Sequence, residues 1–209
     1  MHIAITGNIG AGKTTLAEML AKHYGWEVFY EAVDGNPYLA PFYGDMKKWS
    51  FHLQVYFLNS RFEQVLKIIN QDERTIIQDR TIYEDAYIFA QNLYDNGSMN
   101  ETDFQTYRGL FNTIMKAISP PDLMIYLKAD IPKLLSQIKK RNRDYEQNMD
   151  PEYLKSLNAL YENFKHQYDH GKFIEIDVNH MDFVDKPEDF KLITDKLEKT
   201  INIGTQLKI

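Results

Sequence analysis

Short apolar runs rich in β-branched residues alternate along this chain with longer segments whose apolar residues recur every three or four positions. The short runs predict strands at His2–Thr6, Glu27–Tyr30, Thr75–Gln78, Leu123–Leu127 and Phe173–Ile176. The longer segments predict helices at Lys13–His23, Lys47–Asn70, Tyr83–Tyr94, Glu101–Ala117, Ile131–Lys140, Pro151–Asp169 and Pro187–Lys199. This alternation favours an α/β fold, with a five-stranded parallel sheet flanked by helices.

The chain is expected to form a single domain that covers residues 1–209. A length of 209 residues is ample for one α/β domain and short for two. No internal repeat, low-complexity tract or linker divides the sequence. Several long predicted helices have no obvious partner strand, so part of the fold is expected to be helical and to supply an oligomer interface.

Residues 7–14 read Gly-Asn-Ile-Gly-Ala-Gly-Lys-Thr and match the phosphate-loop pattern G-x-x-x-x-G-K-[ST] in full. A predicted strand precedes this octet and a predicted helix follows it, as phosphate binding requires. Lys13 could then reach the β and γ phosphates, and the Thr14 hydroxyl could bind Mg²⁺. A glycine-rich turn that binds nothing is the alternative. The sequence predicts nucleotide contacts from Gly7, Asn8, Ile9, Gly10, Ala11, Gly12, Lys13, Thr14 and Thr15.

The composition favours an enzyme that acts on small molecules. The chain has no cysteine, which excludes disulfides and thiolate metal sites and favours a reducing cytoplasm. A net charge of -6 argues against a nucleic-acid surface, which would be basic. No apolar run approaches the ~18 residues of a membrane span, and the strand at the start leaves no room for a signal peptide. We therefore expect a cytoplasmic protein that binds neither nucleic acid nor membranes.

Charged residues follow two of the predicted strands, at the sheet edge where ligands bind in open α/β folds. Glu31 follows the second strand, and Asp79 and Arg80 follow the third. A single charged residue after a strand is usually a solvated loop residue. Three that converge on a γ-phosphate would supply a base for the acceptor hydroxyl, a metal ligand beside Thr14, and a cation for the transferred group.

The segment from Ile138 to Glu146 reads Ile-Lys-Lys-Arg-Asn-Arg-Asp-Tyr-Glu and joins two predicted helices. A short basic link of this kind is typical of a lid that closes over a triphosphate. The alternative is a charged helix end that only complements the helix dipole. Next to a phosphate loop, an Arg-bearing lid at about residues 138–149 is the preferred interpretation.

The acceptor is indicated by a resemblance. Segments 31–39, 43–61, 79–89 and 141–147, in this order, resemble the deoxyribonucleoside kinase family, most of all its bacterial deoxyadenosine/deoxyguanosine kinase branch. The resemblance covers nearly the whole chain. It implies a P-loop kinase fold, a homodimer built from helices, and transfer of phosphate from ATP to the 5′-hydroxyl of a deoxynucleoside.

Roles for individual residues follow from the same resemblance. It implies that Glu31 is the catalytic base and that Arg80 and Lys13 act on the phosphates. Tyr43 and Glu146 would bind the 3′-hydroxyl of the sugar. The implied contacts to the base come from Gln54, Phe57, Arg61, Asp85 and Phe89.

The resemblance also assigns the donor side of the site. Arg141 and Arg143 would close on the ATP phosphates, and the stretch from Asp177 to Phe183 would hold the adenine of ATP. Asn142 replaces a glycine that is frequent in this lid, so the turn needs a residue that tolerates left-handed φ, and asparagine is the next best choice.

The pair formed by Arg61 and Asp85 bears on specificity. Family members with this combination favour purine deoxynucleosides or deoxycytidine, so deoxyadenosine is expected first and deoxyguanosine second. Gln54 and Arg61 are seven residues apart and share a helix face, but Gln54 can present either end of its amide. Two other classes remain as alternatives: a nucleoside monophosphate kinase and a nucleotide-driven switch.

Overall fold

The computed structural model describes residues 1–33, 35–70, 74–146 and 149–201. Within these residues, five parallel strands form one sheet in the order β2-β3-β1-β4-β5. The strands are β1 His2–Gly7, β2 Glu27–Phe29, β3 Ile76–Asp79, β4 Leu123–Lys128 and β5 Lys172–Asp177. In register, Ile5 of β1 lies opposite Asp79 of β3 and Ile125 of β4.

Helices connect successive strands. They are α1 Lys13–Tyr24, α2 Leu39–Gly44, α3 Met46–Ile69, α4 Ile82–Glu84, α5 Gln91–Asp95, α6 Glu101–Ile114, α7 Ile131–Arg141, α8 Pro151–Gln167 and α9 Pro187–Ile201. A π-helical segment, Asp85–Ala90, joins α4 to α5, and a 3₁₀ turn, Asp144–Glu146, follows α7.

The middle of the sheet is buried on both faces. Every residue of β1 is buried, and so is nearly all of β4. This burial explains why both strands are continuous apolar runs rather than alternating patterns. Leu16 and Leu20 of α1 and Leu157 of α8 are fully buried in the same core. The sheet is therefore held between helices, and its carboxyl edge is left to carry polar groups.

The predicted strands and their parallel arrangement are confirmed, with ends that shift by one residue. Two local features differ from the prediction. Helix α2 was not predicted, because Pro41 within six residues suggests a loop, although proline is tolerated in a first turn. The predicted helix at Tyr83–Tyr94 is instead α4, the π segment and α5. A π segment adds a residue to the helix and is frequent at functional sites.

Two residues other than glycine have a positive φ among the described residues. Asn142 ends α7 with φ 56° and ψ 45°, which confirms the left-handed turn predicted there. Arg80, directly after β3, has φ 73°, and this conformation was not predicted. Left-handed φ is unfavourable for a side chain of this size, so the surrounding contacts must hold it.

None of the described helices is both long enough and apolar enough to cross a membrane.

Candidate active site

A cavity of about 630 Å³ lies at the carboxyl edge of the sheet. Four parts of the chain form its wall: the phosphate loop and α1, the segment from β2 to α3, the end of β3 with the π segment, and the end of α7 with the 3₁₀ turn. The cavity is thus continuous from the phosphate loop to the base-binding residues predicted on α3. Donor phosphates and an acceptor could occupy it together.

The phosphate loop is held closely against the rest of the fold. A Cβ on Gly10, where φ is 84°, would lie 2.7 Å from the Leu134 carbonyl oxygen and 2.9 Å from Ile138 Cγ1. Only glycine fits there. The Asn8 side chain fixes the turn from inside, since its Oδ1 accepts from Ile9 N at 2.7 Å and its Nδ2 donates to the Leu154 carbonyl at 2.9 Å. The loop is therefore shaped before any phosphate arrives.

Lys13 lies inside the loop, and its Nζ donates to the Asn8 carbonyl at 3.0 Å. Burial, together with the positive charge of Arg80, lowers the pKa of Lys13 to about 8, although Asp79, Glu84 and Glu31 act in the opposite direction. The ammonium is thus poorly solvated in this cavity. An anion that binds in the cavity would offset much of the free energy that the ammonium loses by leaving water.

Thr14 and Asp79 meet at the predicted metal position. The Thr14 hydroxyl donates to Asp79 Oδ2 at 2.5 Å, and the buried Asp79 Oδ1 has no hydrogen-bond partner. Burial raises the pKa of Asp79. No group of three or more His, Cys, Asp or Glu side chains that could hold a metal occurs in the described residues. A hydroxyl and a free carboxylate oxygen fit a Mg²⁺ ion whose other ligands are phosphate and water.

Two arginines fix the Glu31 carboxylate. Its Oε1 lies 3.0 Å from Arg61 Nη2 and 2.8 Å from Arg80 Nε. The backbone before it is also held, because Gln64 Nε2 donates to the Tyr30 carbonyl at 2.7 Å. Glu31 lines the cavity, and 21% of its side chain is exposed there. The carboxylate is therefore oriented and still accessible to a ligand.

The charges around Glu31 determine its protonation. Burial alone would raise the pKa of this carboxyl, but Arg80, Arg61, Lys13 and Arg143 lower it to about 2. Glu31 is consequently ionised at any pH at which the protein would work. It can accept a hydrogen bond from an alcohol but not donate one.

Arg80 connects the two sides of the site. Its backbone N–H donates to the Ile5 carbonyl at 2.9 Å, which holds the strained residue against β1. Its guanidinium contacts Glu31 through Nε and Glu84 Oε1 through Nη1, the latter at 3.1 Å, and lies 4.6 Å above the Phe89 ring. The guanidinium is thus held by two carboxylates and an aromatic face.

The base-side residues form the far wall of the cavity. Gln54, Phe57, Asp85 and Phe89 line it. Gln54 is only 3% exposed, and its Oε1 has no hydrogen-bond partner. Buried amide oxygens are normally paired, so this atom is suited to a ligand. Burial raises the pKa of Asp85 to about 7, against the lowering effect of Arg61 and Arg80.

Arg61 is placed differently from its expected role at the base. It is 1% exposed and does not line the cavity. Its guanidinium lies behind the wall, where Nη2 contacts Glu31, Nη1 donates to the Asp79 carbonyl at 3.3 Å and Nε lies 3.3 Å from Asp85 Oδ2. Arg61 therefore supports two residues that face the cavity rather than facing it itself.

The sugar and donor residues predicted after α7 also converge on the cavity. Glu146 Oε2 lies 2.5 Å from Arg141 Nη2, and its Oε1 lies 3.7 Å from Arg143 Nη1. Tyr43 stacks on Tyr145 at 5.5 Å between ring centroids. Tyr43, Arg141, Arg143 and Glu146 all line the cavity.

Some predicted nucleotide contacts lie outside the cavity wall. Gly7, Asn8 and Ala11 shape the loop from behind, whereas Ile9, Gly10, Gly12, Lys13, Thr14 and Thr15 line the cavity. Phe183 packs beside Gly12, 3.1 Å from where a Cβ would be. Asp177 is exposed and accepts from Asn179 N at 2.9 Å.

Several residues of the site were not predicted. Val33, Leu39, Phe42, Leu53 and Tyr153 line the cavity, and their apolar character alone does not distinguish them from core residues. Glu84 and Tyr161 contact Arg80 from behind the wall. Thr81 and Glu84 form a capping box, and the T-x-x-E spacing was a signal for that motif. No sequence signal identified Tyr161.

The site has the parts of a phosphoryl-transfer site of the P-loop class. A phosphate loop with its lysine lies between a strand and a helix, and a carboxylate and an arginine follow the neighbouring strands. The chain belongs to the deoxynucleoside kinase family, whose family model, "Deoxynucleoside kinase", matches residues 3–202. The enzyme is therefore a deoxynucleoside kinase, with a P-loop kinase fold.

Named relatives cover almost the whole chain. It is 36% identical to a deoxyadenosine/deoxycytidine kinase of Bacillus subtilis, over 96% of this chain and 93% of that protein. It is 43% identical to a deoxyadenosine kinase of Dictyostelium discoideum, over 94% of this chain and 79% of that protein. The solved deoxyadenosine kinase of M. mycoides, with dCMP and dCDP bound, matches with a TM-score of 0.85 and 37% identity, over 95% of this chain and 100% of that chain.

Glu31→Gln is expected to remove a pH-dependent part of the stability. The pKa of Glu31 is about 2 in the folded protein, below the ordinary 4.5, so its ionised form stabilises the fold fully above about pH 4.5 and progressively less as the pH falls toward about 2. Urea unfolding of the wild type and the variant at about pH 6, 4.5 and 3.5 should show the difference in free energy of unfolding shrinking by about 1 kcal/mol per pH unit below pH 4.5.

The matched control is Glu188→Gln, at an exposed position of α9. The difference in free energy of unfolding between this variant and the wild type should stay nearly constant over the same pH range. A Glu31→Gln difference that is equally large at all three pH values would contradict the low pKa.

Proposed function

We propose that this enzyme transfers the γ-phosphate of ATP to the 5′-hydroxyl of a purine deoxyribonucleoside, with deoxyadenosine preferred over deoxyguanosine. One observation carries the proposal. The Glu31 carboxylate, held by Arg61 and Arg80, faces the same cavity as the Lys13 phosphate loop and the unpaired Gln54 amide. A donor triphosphate on the loop, and an acceptor with a free alcohol and a base whose edge forms hydrogen bonds, match these three features.

Glu31 is proposed to act on the 5′-hydroxyl. A carboxylate with a pKa of about 2 is too weak a base to ionise a free alcohol. It orients the hydroxyl by accepting its hydrogen bond, and it takes the proton late, once the oxygen has begun to bond to phosphorus and the proton has become acidic. This order suits the loose transition state of phosphoryl transfer.

The cations of the site act on the transferred group. Lys13 neutralises charge on the β and γ phosphates, and Arg80 stabilises the charge between donor and acceptor. Thr14 and Asp79 would hold Mg²⁺, which would neutralise negative charge on the donor phosphates. Arg141 and Arg143 belong to the proposed lid at residues 138–149 and add positive charge on the donor side.

The remaining residues bind the sugar and the two bases. Tyr43 and Glu146, which both line the cavity, bind the 3′-hydroxyl of the sugar. Gln54 and Asp85 bind the edge of the acceptor base, and Phe57 and Phe89 contact its faces. The stretch from Asp177 to Phe183 holds the adenine of ATP, and the packing of Phe183 beside Gly12 of the phosphate loop supports this role.

The purine preference draws on the relatives as well as on the pocket. Proteins with similar sequences are named deoxyadenosine kinase, deoxyguanosine kinase and deoxyadenosine/deoxycytidine kinase. The deoxyadenosine kinase is 43% identical to this chain and the deoxyguanosine kinase of Lactobacillus acidophilus 36%, which favours deoxyadenosine in the proposal. We also propose a cytoplasmic homodimer built from helices, and the exposed Tyr87 and Leu110 offer apolar surface for it.

The function is tested by giving the purified enzyme ATP, Mg²⁺ and all four deoxynucleosides in competition. Deoxyadenosine should have the highest kcat/KM, deoxyguanosine the next, and thymidine at least ~10-fold less than deoxyadenosine. Activity with dAMP but not with deoxyadenosine would make the protein a nucleoside monophosphate kinase. ATP hydrolysis that no acceptor accelerates would instead indicate a nucleotide-driven switch.

Glu31→Gln should lower kcat for deoxyadenosine by ~10²-fold or more while KM changes little, because the amide keeps the shape but cannot take the proton. Steady-state kinetics of both proteins provide the comparison. The exposed Glu188→Gln variant again serves as the control. Full activity of Glu31→Gln would remove this carboxylate from the mechanism.

Gln54→Leu should raise KM for deoxyadenosine by ~10-fold or more, because the base edge loses its hydrogen bonds. The same change should leave the stability of the ligand-free protein unchanged or raise it by up to about 1 kcal/mol, since a buried amide oxygen without a partner is removed. Kinetics and thermal unfolding measure the two effects. Gln167→Leu, at an exposed position on α8, is the control, and a normal KM in Gln54→Leu would exclude Gln54 from base binding.

A further inference from the structure

Glu84 is a fully buried carboxylate that does not line the cavity. Its Oε2 accepts from Thr81 N at 2.8 Å, which completes the capping box of α4. Its Oε1 accepts from two functional groups: Gly7 N, the first residue of the phosphate loop, at 3.2 Å, and Arg80 Nη1 at 3.1 Å. One oxygen atom thus joins the phosphate loop to the guanidinium that faces the acceptor.

Tyr161 of α8 reaches the same point from the other side. Its hydroxyl lies 2.9 Å from the Gly7 carbonyl and 2.7 Å from Glu84 Oε1, and Arg80 Nη1 donates to it at 3.2 Å. The hydroxyl has a single proton, so it donates to one of these two oxygens at a time. In either arrangement it accepts from Arg80. Glu84 accepts from the Gly7 N–H, and the Gly7 carbonyl is hydrogen-bonded when the Tyr161 hydroxyl donates to it.

These contacts do more than fill the core. Arg80 has a positive φ, and a residue with that backbone has no regular element to set the direction of its side chain. Its Nε contacts Glu31, while its Nη1 contacts Glu84 and Tyr161. A guanidinium is planar and rigid. The contacts of Glu84 and Tyr161 with Nη1 therefore also fix the orientation in which Nε contacts Glu31, the proposed catalytic base.

We propose that Glu84 and Tyr161 are positioning residues that hold Arg80 in register with the phosphate loop. The phosphate loop is thus connected through Gly7 to Glu84 and Tyr161, and through these two side chains to the guanidinium beside the acceptor. The inference rests on the proposed role of Arg80 at the transferred phosphoryl group. It assigns to a tyrosine outside the cavity an effect on turnover rather than on acceptor binding.

Tyr161→Phe tests the inference because it removes the hydroxyl and keeps the ring. We expect kcat for deoxyadenosine to fall by ~10-fold, the size of one lost hydrogen bond to a charged group. KM for deoxyadenosine should stay within about twofold of the wild-type value, because Gln54 and Asp85 are untouched. Glu84→Gln, which keeps the shape and removes the charge, should lower kcat at least as much.

Tyr126→Phe is the matched control. Tyr126 is buried, and its ring stacks on that of Tyr161 at 5.5 Å and 12°, but its hydroxyl contacts Glu162 at 3.3 Å. Tyr126→Phe removes a hydroxyl from the same pair of stacked rings but leaves the contacts of Arg80 and Gly7 unchanged. Its kcat and KM should remain at wild-type values, and thermal unfolding of all variants shows whether each is folded.

A double-mutant cycle with Arg80→Ala separates the inference from the proposed function. If Tyr161 acts through Arg80, Tyr161→Phe lowers kcat in the wild type and has no further effect once Arg80 is alanine. Equal losses from Tyr161→Phe in both backgrounds, or a change in KM without a change in kcat, would overturn the inference. An Arg80→Ala enzyme with normal kcat would instead overturn the proposed role of Arg80, and the inference with it.

Discussion

A buried guanidinium held between two carboxylates is the interaction on which this site depends. Arg80 has 5% of its side chain exposed and contacts Glu31 on one side and Glu84 on the other. An arginine removed from water is costly unless it is fully paired, so both carboxylates are needed for the ion to remain there. The same pairing offsets the strain of its positive φ. Fold stability and the geometry of the site are therefore set by the same contacts.

This arrangement also explains how a largely buried carboxylate can remain ionised. Lys13, Arg61 and Arg80 surround Glu31 and outweigh the effect of burial on its pKa. Burial, and after it the charge of Arg80, lowers the pKa of Lys13, so its ammonium lacks the stabilisation that water would give it. A polyanion such as a nucleoside triphosphate supplies stabilisation when it binds. The site is thus electrostatically organised for its ligand in advance, which is the main source of catalytic power in such enzymes.

The sequence predicted what local pattern and strand topology determine. The phosphate loop is a contiguous motif, and Glu31, Asp79 and Arg80 follow parallel strands whose carboxyl ends must share one edge. The left-handed turn at Asn142 was expected from the resemblance, because the family often has a glycine at that position of the lid. Tyr161 was not predictable, because it lies 154 residues from Gly7 and its hydroxyl is directed by packing between α8 and the loop. The position of Arg61 behind the cavity wall was not predictable either, because helical spacing gives the direction of its side chain but not the depth of its burial.

Under the proposed function, the choice between purine bases depends on very few groups. Gln54 and Asp85 provide hydrogen-bonding groups on the base side of the cavity, and adenine and guanine present opposite donors and acceptors at position six. The Gln54 amide can turn either end toward a base. Asp85, with a pKa of about 7, can be an acceptor when ionised and a donor when protonated. A pocket with two such adaptable groups needs only small shifts in the charges around them to change its preferred base. Under the proposed function, Arg61 would therefore influence base preference without lining the cavity, because its charge acts on the protonation of Asp85.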